Sequence, residues 1–360
     1  MNKKLLSSSA LVGAMLISGA ALAEFKVSGD MTATYIMGSD ETGSKGTGTN
    51  GKASGEKIGN EFNVLMSGSN ALSNGLTAKY SGKLEFDGPS ASEPDHEYEL
   101  KLEAANGFYI AFANDGGQSN RTSMTPFVSY PIGSTGTAIA GGTYSTTGGF
   151  QGDSQISGVH QSNNIGIGGK IGGGNFVVRY APSTGKINGN DVDTTANLNT
   201  DATAGSGVMF AYNGKIGGLG VNLGYTTEEQ SDKSNAAGTG DKKEQRIGLN
   251  YTFGSVKVGA DHIQYEDGTT AQTADRDTTI LGLAYAASKD VTVGVYHQTT
   301  TPELNAGGKQ DENMNMISVG YNLGAGSIAL SIVDVEGFGN AANANGADYQ
   351  GLMITTKVGF

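Results

Sequence analysis

The sequence has no cysteine, no tryptophan and only 6 prolines in 360 residues. Without cysteine it has no disulfide scaffold and no thiolate metal site. The absence fits an oxidising compartment, where an unpaired thiol is a hazard. Basic residues are scarce too: 23 Lys and Arg stand against 35 Asp and Glu, a formal charge of -12. That balance argues against a nucleic-acid partner, because neutralising phosphates takes basic side chains. Past residue 22 no segment approaches the run of about 18 apolar residues that a transmembrane helix needs. Signatures of catalysis are missing as well. There is no Gly-x-Ser-x-Gly elbow, and no Gly-Lys pair is followed by Ser or Thr. The glycine-rich stretch 166–174 lacks dinucleotide-loop spacing and runs into Phe176-Val177-Val178-Arg179-Tyr180, a strand rather than a helix. His96, His160, His262 and His297 are scattered, none at metal-ligand spacing to another. Neither an enzyme nor a protein-bound metal or cofactor is expected.

What is present starts with a leader. Lys3 and Lys4 precede an apolar stretch from Ala10 to Leu22, which closes on Ala21-Leu22-Ala23 before Glu24. This reads as a secretory signal peptide over residues 1–23, removed on export. A membrane anchor is the alternative, but the run is short and has no stop-transfer flank. Residues 24–360 then form the mature chain, and if it enters a membrane it must do so with strands.

Period-two alternation supplies those strands. Phe25, Val27, Met31, Ala33 and Tyr35 alternate with Lys26, Ser28, Asp30, Thr32 and Thr34. The pattern recurs with Ile58, Phe62, Val64 and Met66 against Glu61, Asn63 and Ser67. It recurs again with Ala78, Tyr80, Leu84 and Phe86 against Lys79, Lys83 and Glu85. A further segment sets Tyr98, Leu100 and Leu102 against Glu97, Glu99, Lys101 and Glu103. A soluble sandwich alternates in the same way, so the connections decide. Short ones fall near 69–75, 106–107, 172–174, 217–218, 254–255, 288–290 and 324–326. Long polar ones fall near 38–56, 88–94, 114–155, 183–204, 228–243, 266–277, 300–311 and 337–347. Strict alternation of loop length is the pattern of an all-β, closed antiparallel transmembrane barrel of about 16 strands, with short periplasmic turns and long external loops. Phe25, Phe108, Phe176, Tyr212, Phe253, Tyr285, Tyr321 and Phe360 lie near one set of strand ends. Tyr35, Phe86, Tyr180 and Tyr225 lie near the other, as two interfacial girdles would.

These features together resemble the Gram-negative general porins, especially the alphaproteobacterial type. The resemblance rests on the leader, the start Glu24-Phe25-Lys26-Val27-Ser28-Gly29, the long connection after the fifth strand, and a last strand, Tyr349 to Phe360, that ends in phenylalanine. It implies an outer-membrane homotrimer that passes small hydrophilic solutes and ions passively. It also implies a third loop (114–155) folded into the lumen, and a terminal Phe360 read by the barrel assembly machinery. Register puts Asp30, Glu61, Lys79, Lys83, Glu99, Lys101 and Arg179 on inward faces as candidate pore-lining residues, with Asp115 and Arg121 from the third loop. Related porins oppose an acidic loop to a basic wall, whereas this loop carries only Asp115 and Asp153 as acids.

The overall acidity suggests a weak cation preference. Acidic loop clusters, and the segment Asn188 to Asp193 in particular, have a composition suited to loop-bound Ca2+ or to bridging lipopolysaccharide. That segment lacks the spacing of an EF-hand. A substrate-selective channel, and a structural or adhesive barrel with a plugged lumen, remain as alternatives.

Overall fold

The computed structural model describes residues 24–40, 57–87, 95–114, 159, 163–182, 204–230, 241–266, 275–302, 311–338 and 347–360. The leader, the long connections, Asp115, Arg121, Asp153 and the segment 188–193 lie outside these residues. Sixteen strands are described. The first five are β1 (Glu24–Asp40), β2 (Lys57–Ala71), β3 (Thr77–Asp87), β4 (Asp95–Glu103) and β5 (Tyr109–Asn114). After the longest connection come β6 (Asn164–Ile171), β7 (Gly174–Ala181), β8 (Ala204–Ile216), β9 (Leu219–Gln230) and β10 (Lys242–Phe253). The last six are β11 (Val256–Glu266), β12 (Arg276–Ala286), β13 (Val291–Pro302), β14 (Glu312–Asn322), β15 (Gly326–Phe338) and β16 (Ala347–Gly359). Each pairs antiparallel with its neighbours in sequence, and β1 pairs with β16, so the sheet closes as a barrel. Among the described residues no helix is long and apolar enough to cross a membrane, so any crossing belongs to the strands.

The strands form where the sequence alternates. Outward positions carry Val27, Ile167, Leu249, Leu283, Val319 and Ile332, all exposed on the wall's outer face. Their inward neighbours Thr32, Asn63, Glu99, Asn222, Thr278 and Ser331 are buried. A one-residue slip would reverse every one of these, so the register is strongly specified. Phe253, Tyr285 and Tyr321 stand outward near the short turns, and Phe86, Tyr180 and Tyr225 outward toward the long connections. The upper girdle is incomplete on β11 and β13. There His262 and His297 face outward, bonded to Thr279 at 3.2 Å and to Asn315 at 2.8 Å.

Turn chemistry explains the tight ends. Gly107 and Gly324 take φ of 84° and 88°, a conformation that costs a residue with a Cβ. Beside them Asn106 Oδ1 accepts from the Phe108 amide at 3.2 Å, and Asn322 Oδ1 from the Gly324 amide at 2.8 Å. Between β12 and β13 no glycine is present. Ser288 Oγ substitutes, accepting from the amides of Asp290 and Val291 at 3.2 and 3.0 Å.

Strand tilt follows from the register. The row Gly359, Asp30, Asn63, Glu85, Asp95 runs from the last residue of β16 to the first of β4. A row perpendicular to the strands therefore climbs the wall as it goes round, as a sheared barrel requires. β5 ends at Asn114 and β6 begins at Asn164, and the expected third loop, 114–155, lies outside the described residues but for Asn114. The described pairing resumes at Asn164, after a helical residue at Val159.

The β1–β16 seam is sealed at Phe360. Its amide and carbonyl exchange bonds with Gly29, both at 3.0 Å, and its ring stacks on Phe62 with centroids 5.7 Å apart. A Cβ at residue 29 would overlap that ring and the Asn63 carbonyl. Gly29→Val should therefore destabilise the barrel by about 1–3 kcal/mol, as overpacking does. The midpoint of heat-induced unfolding on a semi-native gel should fall, and adding Phe360→Ala should recover part of the loss. An unchanged midpoint would contradict the close approach.

Candidate pore lining and constriction

The wall formed by β3 and β4 carries most of the expected charges. Lys79 and Lys101 are direct cross-strand partners, a like-charge pair that by itself is destabilising. Each is neutralised within its own row of the wall. Lys79 Nζ lies 2.6 Å from Glu103 Oε1, and Lys101 Nζ lies 2.6 Å from Glu99 Oε1. Lys101 also sits over the Tyr109 ring, 4.7 Å from its centroid. One step toward the long loops, Lys83 bonds Glu85 and lies 3.3 Å from Glu97. Asp30 accepts from Asn63 Nδ2 at 3.2 Å and pairs with Lys357 at 3.3 Å. Glu61 occupies the register position between Thr32 and Asp87.

Arg179 belongs to the same wall although its strand lies three away. Its guanidinium reaches Glu99 on β4, and Nη1 donates to Asn164 Oδ1 at 2.6 Å. The path is open because the intervening lumen-facing residues are Gly166, Ala111 and Ala113. A Cβ on Gly166 would come 2.9 Å from Arg179 Cγ. The arginine side chain is 0% exposed and that of Glu99 6%. Two charges taken this far out of water are held by each other, by Lys101 on the second oxygen of Glu99 and by the hydrogen bond to Asn164.

From Asn164 the network continues inward. Asn164 Nδ2 donates to the Val159 carbonyl at 3.1 Å, and the Val159 amide donates to Glu228 Oε1 at 3.1 Å. Val159 itself packs with Ala181 and Met209, both on lumen-facing registers of β7 and β8. The C-terminal root of the connection after β5 is thus fastened to the inner wall.

Glu99, Lys101 and Arg179 are therefore brought together, Lys79 and Lys83 line the same wall, and Asp30 sits apart at the seam. Asp115 and Arg121 lie outside the described residues. Sequence reasoning missed Asn164, Glu228 and Lys357, and also the pair Arg246–Asp261, 3.6 Å apart across β10 and β11. Parity along β10 and β11 would have found that pair. The two main-chain contacts through Val159 had no sequence signal.

The inner face is not polar throughout: Ile280, Tyr296, Met314, Met316, Val333 and Met353 all face inward and are buried. These strands carry apolar residues on both faces, so alternation of hydrophobicity alone does not separate inside from outside there. Among the described residues no group of three His, Asp or Glu could hold a metal.

A closed barrel with a paired-charge inner wall is the geometry of a channel. The sequence model of the Gram-negative porins matches residues 7–330. The chain belongs to the Gram-negative porin family. Porins are outer-membrane channels and not enzymes, in keeping with a site built from ion pairs rather than nucleophiles. A multiply substituted porin of Rh. blastica aligns over 94% of this chain and 100% of its own, with TM-score 0.58 and 15% identity. A triple mutant of the Rhodopseudomonas blastica porin covers the same shares at TM-score 0.56 and 16% identity. OmpT, an outer membrane protein of Vibrio cholerae, solved without its loop L8, aligns over 94% and 99% with TM-score 0.62 and 13% identity. At such identities the likeness speaks for the fold alone. No curated protein sequence matches the chain.

Within this porin the Glu99–Arg179 pair makes a sharp prediction. Arg179→Ala leaves the buried Glu99 with Lys101 as its one charged partner in this wall and should cost about 3 kcal/mol, the low end for breaking a buried pair. The double variant Arg179→Met with Glu99→Leu should be less destabilised than that single variant, in urea unfolding followed by gel mobility. Equal losses in both would contradict a buried, mutually dependent pair.

Proposed function

We propose that this porin is a general diffusion channel for small hydrophilic solutes and ions, with a weak cation preference. The observation that carries the reading is the β3–β4 wall, whose charges are fixed in mutual pairs and so keep water in the lumen without a dedicated ligand cage. Among the described side chains the lumen-facing aromatics Tyr109, Tyr265 and Tyr296 stand on β5, β11 and β13, which are not neighbours, so these three form no continuous track for one solute class. The acidic balance of the chain supports the cation preference, since fixed carboxylates raise the local cation concentration. Asp30, Glu61, Lys79, Lys83, Glu99, Lys101 and Arg179 would line the path, joined by Asp115 and Arg121. The anchoring of Val159 on the inner wall supports a third loop that turns into the lumen.

On the same reading the leader is cleaved after Ala23 and the channel works as a homotrimer in contact with lipopolysaccharide. Phe360, which closes the seam, presents the last strand to the assembly machinery. The function needs no cofactor, and Ca2+ bound by acidic loops would bridge to lipid rather than take part in permeation.

Single-channel recording in planar bilayers tests this proposal. It expects a large conductance, ohmic at about 1 M salt where fixed charge is screened, with little discrimination among small solutes, and a reversal potential in a salt gradient of the sign for cations. Saturable block by one solute would replace it with a selective channel. Absence of conductance would replace it with a plugged barrel, and anion selectivity would remove the cation preference.

A further inference from the structure

Charge in the lumen is sorted along the pore axis. Lys170 and Lys215 are each one residue from the end of β6 and β8, and Lys257 is one residue from the start of β11. All three share the lumen-facing register and stand next to short turns. None has an ion-pair partner among the described residues. Lys79, Lys101 and Lys357 lie two residues from the same end of their strands, and these are offset by Glu103, Glu99 and Asp30. The short-turn mouth therefore keeps a surplus of positive charge.

The opposite mouth is built the other way. Glu85 and Glu228 lie two residues before the ends of β3 and β9, and Glu97 and Glu244 two residues after the starts of β4 and β10. They too face the lumen. Asp87 and Asp95 extend this acidic set by register. Lys57 by register, with Lys83, Lys242 and Arg276, are the bases that the described residues set against these six acids.

We infer that the lumen is a bipolar channel, anion-favouring at its periplasmic mouth and cation-favouring at its external mouth, and that it rectifies ionic current. This rests on the reading of the barrel as an open channel. With the external side positive, cations enter through the acidic mouth and anions through the basic one. Both then accumulate between the mouths, and conductance rises. With the external side negative, each ion meets the mouth of its own sign first, and the middle of the pore is depleted. The favoured traffic is cations inward and anions outward.

The test is current against voltage for channels of known orientation. The chain has no native cysteine. Lys289→Cys, in the exposed β12–β13 turn, therefore lets a bulky impermeant thiol reagent report which side is periplasmic. At about 0.1 M salt, where charge is felt over about 10 Å, current with the external side positive should exceed the reverse by roughly two-fold. At about 1 M, where the range drops to about 3 Å, the asymmetry should vanish. The triple variant Lys170→Glu, Lys215→Glu, Lys257→Glu should abolish it, and the corresponding triple glutamine variant should weaken it. A symmetric current at low salt, the opposite sense of rectification, or an asymmetry that both triple variants retain would overturn the inference. A channel that conducts but does not rectify leaves the diffusion reading standing, whereas no conductance removes both.

Discussion

A backbone amide facing hydrocarbon has no water to bond, and that requirement shapes everything else in this chain. Strands meet it only by closing on themselves, since an open sheet would present an unpaired edge to lipid. The β1–β16 ladder is where closure happens. Its register brings Phe360 onto Gly29, and the size of residue 29 decides whether the terminal ring can lie flat across the seam and reach Phe62. Closure also fixes the tilt, and the tilt lets side chains from β4 and β7 meet along a climbing row.

Once the wall is closed, its inner face has to solve a second problem. Lysines and glutamates on one strand face cannot all be solvated as they would be at a protein surface. The wall answers with pairs between neighbouring strands: Lys79 with Glu103, Lys83 with Glu97, Lys357 with Asp30. The longest reach is that of Arg179, and it depends on residues without bulk at 111, 113 and 166. Small residues on β5 and β6 are therefore part of the charge arrangement rather than gaps in it. Through Asn164, the same arrangement holds the root of the long connection against β7–β9. Pore lining and loop placement share one set of bonds.

Much of this is legible in the sequence. Glycine and asparagine mark the short turns, because few other residues take positive φ or cap a two-residue reversal. Counting turns gave the strands, and parity from Phe25 to Lys101 gave the inward charges. Parity failed where its premise failed. On β14, Met314 and Met316 face inward while Ile317 and Val319 face outward, so both faces read as apolar. The start of β6 was missed by several residues because Ile165-Gly166-Ile167-Gly168 has no polar face to mark the lumen. The contacts of Val159 with Glu228 and Asn164 run through the main chain, and no residue type announces them.

The central claim is that one face of every strand lines the inside of the barrel, open to pore water on the β2–β4 and β8 walls, and the other touches lipid. A chain with no native cysteine allows a direct measurement in intact outer membranes. Single cysteines would be placed at inward Ser67, Ser81 and Asn213 and at outward Val64, Leu84 and Leu249, and treated with a small impermeant thiol reagent. The account predicts rapid labelling of the first three and protection of the second three. Equal labelling at both sets, or labelling of the outward set alone, would contradict it.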